Sequence, residues 1–228
     1  MADTISVIRT EKKYQISEAK KSSLLSGLSM TMRQDNFGES NGYLVRSLYF
    51  DSIYDDDLVD KIDGLEMRKK IRLRIYSPDQ DQVKLEIKQK QGASQRKQSI
   101  WITRELAEQL IQGNHCGLLD TGTVLGAELY SILECGVYRP KCIIEYNRLA
   151  FMDETNNTRV TLDSNLCAGG NAEDFFAHDP LLIPVLNGTI LEVKYNRFLL
   201  SHVKELVSQA NTTETAVSKY VICRQIIG

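Results

Sequence analysis

Charged side chains recur at every second position in six segments of the chain whose other positions are largely apolar. In a β-strand, residues i and i+2 lie on one face, about 6.6 Å apart, so each segment would place its charges on a single face. The basic members of this set are Arg9, Lys13, Arg72, Arg74, Lys84, Lys88, Lys90, Arg148, Arg159 and Lys194. The acidic members are Glu11, Glu86, Asp163 and Glu192.

Ten basic residues against four acidic ones favour a face that binds an anion. A solvated outer face explains any single segment. Like charges on neighbouring strands repel one another, however, and such a cluster persists more readily when an anion neutralises it. Arginine and lysine bind phosphate oxygens, and carboxylates hold Mg²⁺ or Mn²⁺ bridging those oxygens. The pattern therefore predicts a linear polyanion and a divalent metal as ligands.

The overall composition argues against several classes of protein. The 228 residues carry 28 Lys and Arg against 30 Asp and Glu, whereas a general nucleic-acid binder is strongly basic. No stretch approaches the roughly 18 uninterrupted apolar residues of a membrane-spanning helix, and the first residues lack the apolar core of a signal peptide. The five cysteines form no C-x-x-C pair, which favours reduced thiols. We expect a cytoplasmic protein with no nucleic-acid partner and no direct membrane insertion.

The secondary-structure pattern is dominated by strands without βαβ alternation. The predicted strands are 5–16, 43–51, 67–76, 83–90, 97–103, 141–152, 159–163 and 188–195. The predicted helices are one capped by Ser17, one from Asp55 to Gly64, and 103–112, 122–135, 198–209 and 215–227. Ile100 and Trp101 are predicted core residues.

These elements predict an α+β fold that is mainly antiparallel β and forms a single domain over residues 1–228. The apolar faces of the strands need cover, and the helices supply it. We expect the sheet to close into a barrel with the helices packed outside and the basic face lining the lumen.

Eight motifs occur in the order typical of a known family. They are RTEKKY (9–14), VRSLYFDS (45–52), IRLRIYS (71–77), LEIKQK (85–90), EYNRLAF (145–151), RVTLD (159–163), ILEVKY (190–195) and SKY (218–220). The chain thereby resembles the VTC domain, the polyphosphate polymerase module of the vacuolar transporter chaperone complex, over nearly its full length. That domain belongs to the triphosphate tunnel metalloenzymes, whose fold is an eight-stranded antiparallel tunnel.

The resemblance implies roles for particular side chains. The residues implied to bind the triphosphate of ATP or of a growing chain are Lys13, Arg72, Arg74, Lys88, Arg148 and Lys219. Tyr146 is a further implied phosphate contact, and Glu192 is the implied metal ligand. Lys97 matches another family lysine across a hairpin of different length, and Lys90 stands where the family can have histidine. The alternation adds Glu11 and Glu86 as metal candidates and Arg9, Arg159 and Lys194 as substrate-binding candidates.

The resemblance predicts an ATP–polyphosphate phosphotransferase that depends on Mn²⁺ or Mg²⁺. The opening motif R-x-E-x-K, in place of the E-x-E-x-K of the hydrolytic and cyclase branches, favours the polymerase branch. An inorganic or nucleoside triphosphatase of the same fold stays open, as does a non-catalytic polyphosphate-binding module. The ligands expected in each case are ATP, triphosphate or polyphosphate. A membrane-protein partner and the oligomeric state are also left open.

Overall fold

The computed structural model describes residues 9–35, 41–92, 94–209 and 218–228, with the side chain of Arg9 excepted. The strands there are β1 (Arg9–Ile16), β2 (Arg33–Gln34), β3 (Tyr43–Asp51), β4 (Met67–Ile75), β5 (Gln82–Gln91), β6 (Ser94–Thr103), β7 (Arg139–Asp153), β8 (Thr158–Gly169), β9 (Ile183–Pro184) and β10 (Thr189–Asn196). The helices are α1 (Glu18–Thr31), α2 (Asp56–Ile62), α3 (Arg104–Ile111), α4 (Val124–Cys135), α5 (Ser201–Gln209) and α6 (Lys219–Ile227). Residues 5–8 of the first predicted strand and 215–217 of the last predicted helix lie outside the described residues.

Side-chain caps fix where several helices begin. The Ser17 hydroxyl accepts the backbone N–H of Lys20 at 3.4 Å, as predicted, and the Thr103 hydroxyl accepts that of Leu106 at 3.2 Å. Such caps satisfy backbone donors that have no partner within the first helical turn. Among the described residues, no helix is long and apolar enough to cross a membrane.

The chain divides into two compact units. The first unit comprises residues 1–44, 146–166 and 186–217, and the second comprises residues 45–145, 167–185 and 218–228. In the first unit, β10 lies between β1 and β8, and β8 pairs in turn with β7. The pairings of β10 with β1 and with β8 are antiparallel. The predicted single domain stays a prediction.

Helices α1 and α5 cover the apolar face of the first unit. Leu24 and Leu28 of α1 belong to one buried cluster with Val203 and Val207 of α5. The strand members of this cluster include Tyr14, Ile16, Val160, Leu162, Leu191 and Val193. Because side chains alternate along a strand, the opposite face of the same strands carries the charged residues.

The second unit repeats this division between an apolar and a charged face. Its strand order is β7-β3-β4-β5-β6, with antiparallel pairing from β3 to β6. Helices α3 and α4 pack on the apolar face. The buried residues there include Ile71, Leu73, Ile75, Val83, Leu85 and Ile87 of the sheet with Leu110, Leu125, Leu129 and Leu133 of the helices. The predicted class, α+β and mainly antiparallel with helices over the apolar faces, is confirmed.

One predicted core residue lies elsewhere. Ile100 packs against the apolar cluster, but Trp101 has 53% of its surface exposed. Trp101 follows Ile100 directly, so strand alternation turns its side chain to the charged face. The prediction that Trp101 belongs to the core is therefore wrong.

Candidate functional site

A strongly basic face covers β4, β5 and β6 in the second unit. The strand register aligns its side chains in four rows: Arg68–Lys90–Gln95, Lys70–Lys88–Lys97, Arg72–Glu86–Ser99 and Arg74–Lys84–Trp101. We call these residues the basic face. They comprise eight cationic side chains and a single carboxylate, that of Glu86.

The second row places three lysines side by side. Lys70 pairs with Lys88 and Lys88 pairs with Lys97 across neighbouring strands, which are about 4.8 Å apart. Like charges directly opposite each other destabilise a sheet. The ammonium of Lys70 donates to the Ser218 hydroxyl at 2.9 Å and lies over the Tyr220 ring. The row therefore favours occupation by an anion.

Glu86 lies at the centre of the basic face, with only 2% of its surface exposed. Its Oε2 accepts the Nε–H of Arg72 at 2.6 Å, and its Oε1 is 2.6 Å from the Lys97 ammonium. Arg74 and Lys84 follow at 3.8 and 4.0 Å. Burial raises the pKa of Glu86, but the charges of Arg72, Arg74 and Lys97 outweigh it and lower the pKa to about 2. Glu86 is therefore ionised at neutral pH.

Other contacts set the geometry of the cationic side chains. The Arg72 Nη1–H donates to the Tyr49 hydroxyl at 2.7 Å, and the Arg74 Nε–H donates to the Ser47 hydroxyl at 3.2 Å. Burial lowers the pKa of Lys97, against the opposing effect of Glu86. A cavity of about 40 Å³ opens among these groups. It is lined by Tyr49, Lys70, Arg72, Glu86, Lys88 and Lys97. Four of its six lining side chains are cationic, which suits phosphate oxygens.

The charged face of the first unit has a different composition. Its rows are Glu11–Lys194–Arg159 and Lys13–Glu192–Thr161 across β1, β10 and β8. We call it the mixed face, and it also carries Tyr146, Arg148 and Asp163. The Lys194 ammonium forms ion pairs with Glu192 Oε1 and, at 3.6 Å, with Glu11 Oε2. Lys13 is 2.8 Å from the other Glu11 oxygen. Two carboxylates thus converge on one ammonium group.

Both arginines of the mixed face are held by carboxylates. Arg148 donates from Nε and Nη2 to the two oxygens of the fully buried Asp163, at 2.7 and 2.8 Å. Burial lowers the pKa of Arg148, but the opposing effects of Tyr146 and Asp163 outweigh it and raise the pKa. Arg159 donates to Asp35 at 3.0 Å. Both guanidinium groups are fixed before any ligand binds.

Lys219 occupies the first position of α6 in the second unit. Two contacts anchor that helix. The Tyr220 hydroxyl donates to Asp51 at 2.6 Å, and Arg224 donates to both oxygens of Asp55 at 2.9 Å. Ser218, next to Lys219, accepts from Lys70 of the basic face. The start of α6 is therefore fastened to that face.

The predicted site residues fall into separate groups. The basic face carries Arg72, Arg74, Lys88, Lys90, Lys97 and Glu86. The mixed face carries Glu11, Lys13, Tyr146, Arg148, Arg159, Glu192 and Lys194. Arg9 lies opposite Asn196 in β1, and its side chain is outside the described part. Their roles stay predictions.

Sequence reasoning missed Lys70 and Arg68 on the basic face. Both precede Arg72 in the run MRKKIRLRI, by two and four residues. The same alternation that selected Arg72 and Arg74 therefore contained the signal for them. Tyr49, which contacts Arg72, gave no comparable signal.

The mixed face fits a magnesium or manganese ion bound together with phosphate. In the described ranges, no three His, Cys, Asp or Glu residues form a metal group. Mg²⁺ in phosphate-processing sites is commonly held by only one or two carboxylates together with substrate oxygens. Glu11 and Glu192 supply two carboxylates around one cationic group. Glu86, by contrast, faces four basic side chains.

Several solved structures are similar to this chain. A putative adenylate cyclase from Bacillus halodurans is similar over 93% of this chain and 94% of its own, with 15% identity and a TM-score of 0.54. A putative adenylate cyclase from Vibrio parahaemolyticus is similar over 95% of this chain and 98% of its own, with 14% identity and a TM-score of 0.52. A putative adenylyl cyclase from Hippeastrum, described as having a dominant triphosphatase activity, covers 96% of both chains, with 13% identity and a TM-score of 0.58. All three structures share the fold of this chain.

The family is defined by sequence. The family model of the VTC domain matches residues 8–227. The chain belongs to the VTC domain family. No curated protein matches it.

Proposed function

We propose that this protein transfers the γ-phosphate of ATP onto the end of a polyphosphate chain. The observation that carries this proposal is the basic face, which has eight cationic side chains, one carboxylate and a row of three lysines. From Arg68 to Arg74 the face extends over six residues, or about 20 Å. That length exceeds what one triphosphate needs and suits a longer chain of phosphates.

The two faces have different roles in this proposal. Arg72, Arg74, Lys88 and Lys97 bind phosphate oxygens through charge-assisted hydrogen bonds. Glu192, with Glu11, would hold Mg²⁺ or Mn²⁺, which would neutralise charge on the phosphate oxygens. The attacking group is a phosphate oxygen of the acceptor, so no protein nucleophile is needed. Positioning and charge neutralisation by the basic side chains supply the catalysis.

A triphosphatase is the second candidate, because the mixed face retains two carboxylates, Glu11 and Glu192, that could orient water. The activity named for the Hippeastrum protein belongs to the same reaction class. A module that binds polyphosphate without turnover is the third candidate.

Product analysis separates the three candidates. The protein is incubated with ATP and Mn²⁺, and the products are resolved on a gel and by nucleotide chromatography. The proposal expects ADP together with a ladder of polyphosphate. ADP or diphosphate with free phosphate alone would favour the triphosphatase. Intact ATP and tripolyphosphate, despite binding of both, would leave only the binding module.

Glu192→Gln separates turnover from binding. The substitution keeps the shape of a side chain that is only 6% exposed and removes its negative charge. We expect most of the turnover to be lost while tripolyphosphate still binds in calorimetry. Glu105→Gln, at an exposed position of α3, is the matched control. Wild-type turnover by the Glu192 variant at saturating Mn²⁺ would remove Glu192 from the metal site.

We also propose a cytoplasmic location. All five cysteines are free thiols, and Cys142 and Cys223 are buried. Free thiols in this number are typical of a reducing compartment.

A further inference from the structure

Trp101 is an exposed aromatic side chain at one end of the basic face. It is the sole tryptophan of the chain, and 53% of its surface is exposed. Lys97, Ser99 and Trp101 alternate along β6 and therefore share a face. Burying a tryptophan ring is strongly favourable, and the apolar face of the same strand is one residue away. The exposed position therefore calls for a functional explanation.

The contacts of Trp101 connect it to the cationic side chains. Its cross-strand neighbour is Lys84, whose ammonium lies 5.4 Å from the centroid of the indole ring. Lys84 is in turn 4.0 Å from Glu86 at the centre of the basic face. The ring thus borders the phosphate-binding cations and offers a flat π-surface beside them.

The spacing along β6 suits a nucleotide. Trp101 lies four residues from Lys97, or about 13 Å along the strand. That distance is of the size that separates the terminal phosphate of an extended nucleoside triphosphate from its base. A base over the indole would replace the Lys84 ammonium there and release Lys84 toward the phosphates.

We propose that Trp101 stacks on the nucleobase of the nucleoside triphosphate whose phosphates bind the basic face. The inference rests on the proposed function and deepens it, because it assigns the nucleoside end of the donor. Stacking on an aromatic ring tolerates any base, since every base has a π-face. Trp101 therefore selects nucleotide over bare polyphosphate, with purines bound more tightly than pyrimidines because their rings are larger.

Calorimetric titration of three proteins with two ligands tests this role. The proteins are the wild type, Trp101→Ala and Trp101→Phe, and the ligands are ATP and tripolyphosphate. Loss of one stacked base lowers ATP affinity about tenfold, while tripolyphosphate affinity stays within about twofold. Trp101→Phe keeps a stacking ring and should retain most of the ATP affinity. Tyr54→Ala, which removes another exposed aromatic ring of the same unit, is the matched control and should change neither affinity.

The outcomes separate this inference from the proposed function. Equal loss of ATP and tripolyphosphate affinity in Trp101→Ala would mean that the ring supports the fold of the face, and the inference would fail. Unchanged ATP affinity would overturn it as well. If the wild type binds neither ligand, the proposed function fails and the inference with it.

Intrinsic fluorescence gives an independent readout, because Trp101 supplies all the tryptophan emission. Saturating ATP should quench that emission more strongly than saturating tripolyphosphate does. Equal quenching by the two ligands would count against contact with the base.

Discussion

Glu86→Gln tests whether the carboxylate at the centre of the basic face holds its cations together. The carboxylate is ion-paired with Arg72 and Lys97 at 2.6 Å and is nearly fully buried. Glutamine keeps the size of the side chain and removes its charge. The variant therefore leaves a cluster of cations with no internal counter-charge.

The expected loss of stability follows from the pKa of Glu86. Folding lowers this pKa from the ordinary 4.5 to about 2, and one pKa unit corresponds to about 1.4 kcal/mol. The ionised carboxylate therefore contributes about 3 kcal/mol to the free energy of unfolding at neutral pH. This agrees with the loss of about 3 to 5 kcal/mol of stability that is typical when one partner of a buried ion pair is removed.

The sign of the pH dependence is fixed by the same values. Because folding lowers the pKa, the contribution of Glu86 is fully present above pH 4.5 and is lost as the pH falls toward 2. The free energies of unfolding of wild type and Glu86→Gln, measured by urea titration, should differ by about 3 kcal/mol at pH 7 and converge in acid. Glu105→Gln, on the surface of α3, serves as the control and should follow the wild type.

Tripolyphosphate supplies a second readout. An anion bound to the face replaces the missing charge, so it should stabilise Glu86→Gln more than the wild type. Tripolyphosphate at a concentration of one hundred times its dissociation constant adds about 2.7 kcal/mol to the free energy of unfolding. If the free energies of unfolding of wild type and Glu86→Gln differed by less than about 1 kcal/mol at pH 7, and this difference did not change with pH, Glu86 would not hold the cations together. Loss of Mn²⁺ binding without loss of stability would instead make Glu86 a metal ligand.

Three further predictions concern one residue on each face and one residue of α2. Arg74→Ala should weaken tripolyphosphate binding by about 1.5 to 3 kcal/mol in calorimetry, as expected for a lost charge-assisted hydrogen bond; unchanged affinity would place Arg74 outside the site. Lys194→Gln should tighten Mn²⁺ binding several-fold in the absence of nucleotide, because the ammonium between Glu11 and Glu192 competes with the metal; weaker binding would contradict this. Burial raises the pKa of Asp57 from 3.8 to about 6. Protonated Asp57 therefore stabilises the folded state fully below pH 3.8, and this stabilisation is lost as the pH rises through 6. Asp57→Asn should remove this part of the pH dependence between 3.8 and 6 in denaturation curves, and an unchanged profile would exclude Asp57 as its source.

Local periodicity predicted where the strands that carry the charges lie, although the strand predicted to end at residue 163 extends to Gly169. The strand from Tyr43 to Asp51 has the predicted bounds, and β4 and β5 deviate by one residue at their ends. Alternation also determines which side chains share a face, because the side-chain period of a strand is fixed. The two-residue strands β2 and β9 were missed, since two residues are too few to show a period.

Pairing between distant segments could not be obtained in this way. Lys13 lies opposite Glu192, and the two are far apart in sequence. Nothing in the local pattern of β1 identifies β10 as its partner. The register of Lys97 against Lys88 likewise depends on a hairpin in which Gly92 adopts a φ of 54°, a conformation that glycine adopts easily.

Trp101 shows how residue type can mislead where periodicity is reliable. A large aromatic side chain suggested a core position, although alternation with Lys97 and Ser99 placed it on the charged face. The side chain gains contact with the Lys84 ammonium, and cation–π contacts at exposed sites are worth about 0.5 to 1 kcal/mol. Position in the strand, not hydrophobicity, decided the outcome.

The separation of charge between the two faces supports phosphate transfer over metal-free binding. A cluster made only to bind an anion needs no carboxylates, yet the mixed face carries three against four basic residues. The basic face carries one carboxylate against eight basic residues, and that carboxylate forms ion pairs with its neighbours. In the proposed function, carboxylates of the mixed face would hold a metal ion, and the cations of the basic face would bind phosphate. Phosphoryl transfer between two polyanions is opposed mainly by their mutual repulsion, and positioned charge is what lowers that barrier.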